Sequence, residues 1–237
     1  MDKENKAVYR KILAGRISAT AMTHTFILDG FDEIQDFYEF MKAAIKREKE
    51  LTSKRIEEGA SKLDPEKRDE YIDYFAEDYQ KIGGVFEKLA LESFVVMLYS
   101  RIESGMGSLC DALRRDKRNK DGIIINLRYS DLRANSNIEQ AKSYMEKVLD
   151  IDLELGHSPE WQEIVALRII RNAIIHENGE IKTKDNVIKN HVNQGLVQIR
   201  VREDEKDMII GKLRVNSEYI DHILPLARKF YENLQFK

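Results

Sequence analysis

The chain has 237 residues, of which 42% are hydrophobic and 34% charged, a balance that excludes a disordered chain and supplies one sizeable core. Its formal net charge of -3 excludes a global pull toward nucleic acid, so any RNA contact has to come from a local basic patch. A lone cysteine, Cys110, excludes an intrachain disulfide and suits a reducing compartment.

Residues 2–30 are expected to give a short helix and a loop, with no apolar core of signal-peptide length. The apolar spacing Phe31, Ile34, Phe37, Tyr38, Met41, Ile45 predicts an amphipathic helix. Its Lys-, Arg- and Glu-rich continuation to about Glu58 is expected to project into solvent. Asp64-Pro65-Glu66 reads as an N-cap, a first-turn proline and an acidic first turn. That signal opens a helix carrying Tyr71, Tyr74, Phe75 and Tyr79, whose three tyrosines, like Trp161, are expected to be core. Gly83-Gly84 interrupts or bends the pattern.

A long apolar helix is predicted from about Val85 to Leu113, and residues 114–122 read as a charged linker. Its longest apolar run, Phe94–Tyr99, is far too short to cross a bilayer, so no membrane partner and a cytoplasmic location are expected. Residues 138–149 predict a further helix. Ser158-Pro159-Glu160 opens an unusually apolar helix, and Asn178-Gly179 stops it. After a polar loop, residues 196–202 and 208–215 predict a hairpin around an acidic turn, and Ser217 caps a final helix to about Leu234. The expected fold is all-α, a helical bundle with long helices and a minor C-terminal β-hairpin. The expected organisation is an N-terminal helical extension over 1–79 packing on a domain over 80–237.

Chemistry concentrates at the end of the apolar helix, in Arg171-Asn172-Ala173-Ile174-Ile175-His176. Asn172 and His176, four apart, share one helical face with Arg168. Arg171 lies about 140° around from His176 by the helical period. The two converge on one target only if the helix ends near His176, or if the target lies between two copies of the helix. A guanidinium grips a phosphate in bidentate fashion and stabilises transition-state charge. An imidazole can take the 2′-hydroxyl proton or protonate the 5′-leaving oxygen. Together these groups suffice for cutting RNA without a metal.

Other motifs rank lower. His176-Glu177 would need a histidine at 180 for a zinc helix, and the position is Glu180. His24, His157, His191 and His222 show no ligand spacing, so neither a metal nor a cofactor is expected. Gly105 and Gly107 lack the third glycine and the preceding strand of a dinucleotide loop and read as close packing. Cys110, between Leu109 and Leu113, reads as a small buried residue. Arg114, Arg115 and Arg118 are auxiliary candidates for an RNA backbone, with Arg168 the better one.

Arg-Asn-x-x-x-His at the end of an apolar helix resembles the motif of the HEPN superfamily, over about residues 80–237. The superfamily comprises helical-bundle proteins of prokaryotic toxins, phage defence and RNA processing. The resemblance implies a metal-independent endoribonuclease with Arg171, Asn172 and His176 in a homodimer-interface cleft. It also implies an RNA or nucleotide ligand, and a toxin–antitoxin or phage-defence setting with a protein antitoxin or regulator. Members partnered with nucleotidyltransferase antitoxins carry a tyrosine two residues after the histidine; here Asn178 stands there, so control by modification at that position is not implied. Two alternatives stay open: a non-catalytic nucleotide- or RNA-binding module, and a helical protein-interaction scaffold.

Overall fold

The computed structural model describes residues 18–151, 158–205 and 208–234. Seven α-helices run through them: α1 (Ala19–Ser61), α2 (Pro65–Gln80), α3 (Glu87–Asp121), α4 (Asn137–Lys147), α5 (Pro159–His176), α6 (Asn186–Asn193) and α7 (Ser217–Glu232). A π-helical segment, Lys81–Phe86, joins α2 to α3, and a 3₁₀ turn, Tyr129–Asp131, precedes α4. Three strands complete the fold: β1 (Glu180–Thr183), β2 (Val197–Glu205) and β3 (Met208–Val215). The class is a helical bundle with a small antiparallel sheet near the C-terminus. No helix among the described residues is long and apolar enough to cross a membrane.

The chain divides into two compact units, each assembled from separate stretches. One takes the described residues of 1–32, 98–165 and 224–237; the other takes 33–97 and 166–223. In the first unit Ile102, Met106 and Leu109 are fully buried beside Ile138, Met145 and Tyr231. Each large apolar side chain so buried stabilises the fold by about 1.5–3 kcal/mol. The Tyr231 hydroxyl donates to the Ile102 carbonyl at 2.5 Å, and its ring packs 5.4 Å from that of Phe31. A Cβ on Gly105 would stand 2.6 Å from the same hydroxyl, so this glycine serves close packing as its sequence context suggests.

The start of α1 is held by a local cap, Ser18 Oγ accepting the Ala21 amide hydrogen at 3.1 Å, and by a distant carboxylate. Asp116 accepts the amide hydrogens of Ala19 and Thr20, each at 2.9 Å, satisfying two of the donors that a helix N-terminus leaves open. The loop expected up to residue 30 is therefore absent from residue 19 onward, while residues 2–17 lie outside the described chain. Asp116 belongs to the stretch read as a linker, residues 114–122. That stretch is instead the last part of α3, built of Arg and Lys that favour helix. Gly122, at φ 68°, ends it.

In the second unit α1 continues with Tyr38 buried and its hydroxyl donating to the Ser217 carbonyl at 3.0 Å. Lys42 pairs with Asp221 at 2.9 Å. The charged end of α1 does not simply project into solvent. Thr52 and Ala60 are buried, Lys49 pairs with Glu87 at 2.8 Å, and α2 lines a groove with Thr52 and Ile56 through Tyr71 and Phe75. Helix α2 starts at Pro65 as its first-turn proline predicts, but Asp64 at the cap position makes no side-chain cap hydrogen bond, and the helix buries no residue. Tyr74 is 77% exposed and Tyr79 42%, so these two aromatics are surface rather than core.

The sheet has the order β1-β3-β2, antiparallel throughout. The hairpin expected from residues 196–215 forms its β2–β3 half, with a bulge between Val201 and Glu203. Strand β1 pairs on the other side of β3, Glu180 opposite Lys212.

Candidate functional site

Helix α5 is assembled from both ends. At its start Ser158 Oγ accepts the Trp161 amide hydrogen at 3.1 Å, and the Glu160 carboxylate pairs with Lys229 at 3.0 Å. That ammonium holds the Glu160 carboxyl below its ordinary range. Along the helix Ile164, Leu167, Ile170 and Ala173 are buried, a spacing that fixes one face inward. Arg168 and Arg171 are half-buried, and Asn172 and His176 are exposed.

The helix ends at His176 because the next residues turn left-handed. Asn178 has φ 50° and Gly179 φ 80°. The Gly179 amide donates back to the Ala173 carbonyl at 2.7 Å, the kind of closure expected where a left-handed residue terminates a helix. The Gly179 carbonyl then accepts the Leu213 amide hydrogen at 2.8 Å, and Lys212 Nζ donates to the Asn178 carbonyl. The end of α5 is thereby tied to β3.

At that end the three motif side chains meet. Arg171 Nη1 donates to Asn172 Oδ1 at 2.9 Å and stands 3.5 Å from His176 Nε2. Of the two ways the pair could converge, the first is what the fold provides, a helix that stops at His176. The cluster thus presents a cation, an amide and an imidazole together on an exposed surface.

The auxiliary candidates divide. Arg168 is on α5 with the motif, within the second unit. Arg114, Arg115 and Arg118 belong to the first unit. There Arg114 pairs with the Asp111 carboxylate at 3.3 Å and Arg115 donates to the Asp111 carbonyl at 3.4 Å, while Arg118 is exposed. One cation escaped the sequence reading: Lys212, delivered to the motif's exit by β3. Its only signal was the alternation of the hairpin.

The remaining histidines take other places. His24 Nε2 lies 2.7 Å from the Tyr231 carbonyl, and His157 lies outside the described residues. His191 on α6 and His222 on α7, which no spacing linked, bring their rings to 5.4 Å, with Tyr219 packed 5.3 Å from His191. Glu180, where a zinc helix would need its second histidine, opens β1 and is not on a helix. Cys110 is buried, its sulfur 3.5 Å from the Ala141 carbonyl, and burial pushes its thiol up to about 12. A thiol so raised is not a nucleophile at neutral pH.

No family model, curated protein or solved structure matches the chain.

Proposed function

We propose that the protein is a HEPN-like, metal-independent endoribonuclease acting as a homodimer in the cytoplasm, in a toxin or phage-defence setting. The observation that carries this reading is the approach of Arg171 Nη1 to 3.5 Å from His176 Nε2. It sets a phosphate-binding cation beside a proton-transfer group at an exposed helix end.

His176 takes the proton of the substrate 2′-hydroxyl. The 2′-oxygen then forms a bond to phosphorus and the bond from phosphorus to the 5′-oxygen breaks. Arg171 neutralises the charge that accumulates on the non-bridging oxygens. The departing 5′-oxygen receives a proton from His176 of a second copy, so two histidines divide the base and acid roles. The products are a 2′,3′-cyclic phosphate and a 5′-hydroxyl. Asn172 orients the guanidinium through its 2.9 Å contact.

The test compares wild type with His176→Ala and Arg171→Ala on a mixed RNA pool in EDTA, all three first checked for folding by circular dichroism. Cleavage by wild type alone, leaving cyclic-phosphate and 5′-hydroxyl ends, is the expected result. Products with 5′-phosphate ends and strict metal dependence would overturn the mechanism. Salt-sensitive RNA retention with no turnover would replace it with a binding module.

A further inference from the structure

Helix α1 carries two apolar stripes. The first, through Ile34 and Tyr38, is buried. The second runs along the opposite flank in the second unit and is open: Phe37 is 49% exposed and Phe40 67%, followed by Ala43 and Ala44, also exposed. An open groove of about 360 Å³ lined by Phe37, Met41, Phe86 and Leu89 joins it to α3. Phe86 and Leu89 are themselves 56% and 54% exposed. A contiguous apolar patch of this kind on an otherwise charged helix marks an interaction surface.

The charges around it name the occupant. On the face centred on Phe40, α1 carries the acids Glu33 and Asp36 before it and the cation Arg47 after it, while Lys42 and Lys49 are committed to Asp221 and Glu87. Phe40 stands at the changeover. A two-fold axis through Phe40 would lay a second α1 antiparallel on the first, and every residue would face the one equally far on the other side. Glu33, seven before Phe40, then meets Arg47, seven after it. Phe37, three before, meets Ala43, and Asp36, four before, meets Ala44. One acid–base pair, Glu33 with Arg47, and one large–small pair, Phe37 with Ala43, are each repeated by the symmetry, the self-complementarity an isologous interface needs.

We infer that the Phe37–Arg47 face of α1 is a self-association surface, on which two copies of the chain pair antiparallel about Phe40. The pairing does not depend on the nuclease reading.

Sedimentation velocity across a concentration series tests it, with circular dichroism as the folding control. Wild type is expected as a dimer or a higher even multimer. Phe40→Asp, at an exposed position, should weaken association about 100-fold and leave the helical spectrum intact. Glu33→Lys and Arg47→Glu should each weaken it about tenfold, and the double variant should regain most of the loss. A monomeric wild type overturns the inference. So does an oligomer indifferent to Phe40→Asp, or one that only Ile175→Asp on α5 disperses. Failure of the two charge variants to rescue each other rules out the antiparallel register.

Discussion

Arg171 and His176 approach to 3.5 Å although they stand five positions apart, a spacing that places side chains on different faces of an uninterrupted helix. They meet because the Arg171 side chain is half-buried and bonded to Asn172 Oδ1, and because α5 ends at the histidine, so no further helical turn follows it. The geometry belongs to a helix end, and it depends on whatever places that end.

Asn172 is the simplest handle on this arrangement. It is exposed, so Asn172→Ala should change the unfolding free energy by less than about 0.5 kcal/mol. Losing its hold on the guanidinium should still lower RNA cleavage about tenfold, with binding less affected than turnover. Single-turnover kinetics separates the two. Equal losses in both would make Asn172 a substrate contact instead of a positioning residue.

Gly179 sets the stop. At φ 80° an alanine is strained, at a cost of about 1–2 kcal/mol. Gly179→Ala should therefore lower the thermal midpoint. Cleavage measured well below that midpoint should fall further than unfolding explains, because the strain is relieved by moving His176.

Glu160 gives a pH dependence of defined sign. Its folded carboxyl is held low by Lys229, so it stabilises the fold above the carboxyl's unfolded range and loses that contribution as pH falls through the folded value. Glu160→Gln should cost about 1 kcal/mol at pH 7, for an ion pair at a helix start whose lysine is 58% exposed. The difference between the two proteins should shrink as pH falls below the ordinary carboxyl range and vanish once it passes the lowered folded value. Denaturant melts at several pH values check this, and a difference that grows on acidification contradicts it.

Tyr231 carries a buried hydrogen bond to Ile102. Tyr231→Phe removes the donor and leaves the carbonyl without it, at a cost of about 1–2 kcal/mol. The ring contact with Phe31 is kept, so urea melts should show a lower midpoint with an unchanged slope.

The ends of helices marked by proline or glycine were legible from sequence. Pro65 and Pro159 mark the starts of α2 and α5, and Asn178-Gly179 marks the end of α5, because each acts through its own backbone. What escaped depended on partners far along the chain. At the start of α1 Ser18 is a local cap, its Oγ accepting the Ala21 amide hydrogen at 3.1 Å, but the Asp116 carboxylate that takes two more amides lies 97 residues beyond Ala19. Strand β1 has four residues and exists through pairing with β3. Helix α6 has eight, too few for a periodicity to register, although Asp185 caps it by accepting from the amides of Val187 and Ile188. At the site, the residues of the cluster were readable as a motif. The contribution of Lys212 was not, because only sheet register brings it there.

The π segment at Lys81–Phe86 acts as a phase setting between α2 and α3. A wide turn holds one residue more than an α turn, so everything before it is rotated by about 100° relative to everything after. Deleting a single residue among Ile82, Gly83 and Gly84 would restore ordinary helix and swing the Tyr71–Phe75 face out of the groove it shares with Thr52 and Ile56. Tolerance to sequence change here is thus governed by length: substitutions at the two glycines keep the rotational phase, whereas any one-residue insertion or deletion resets it.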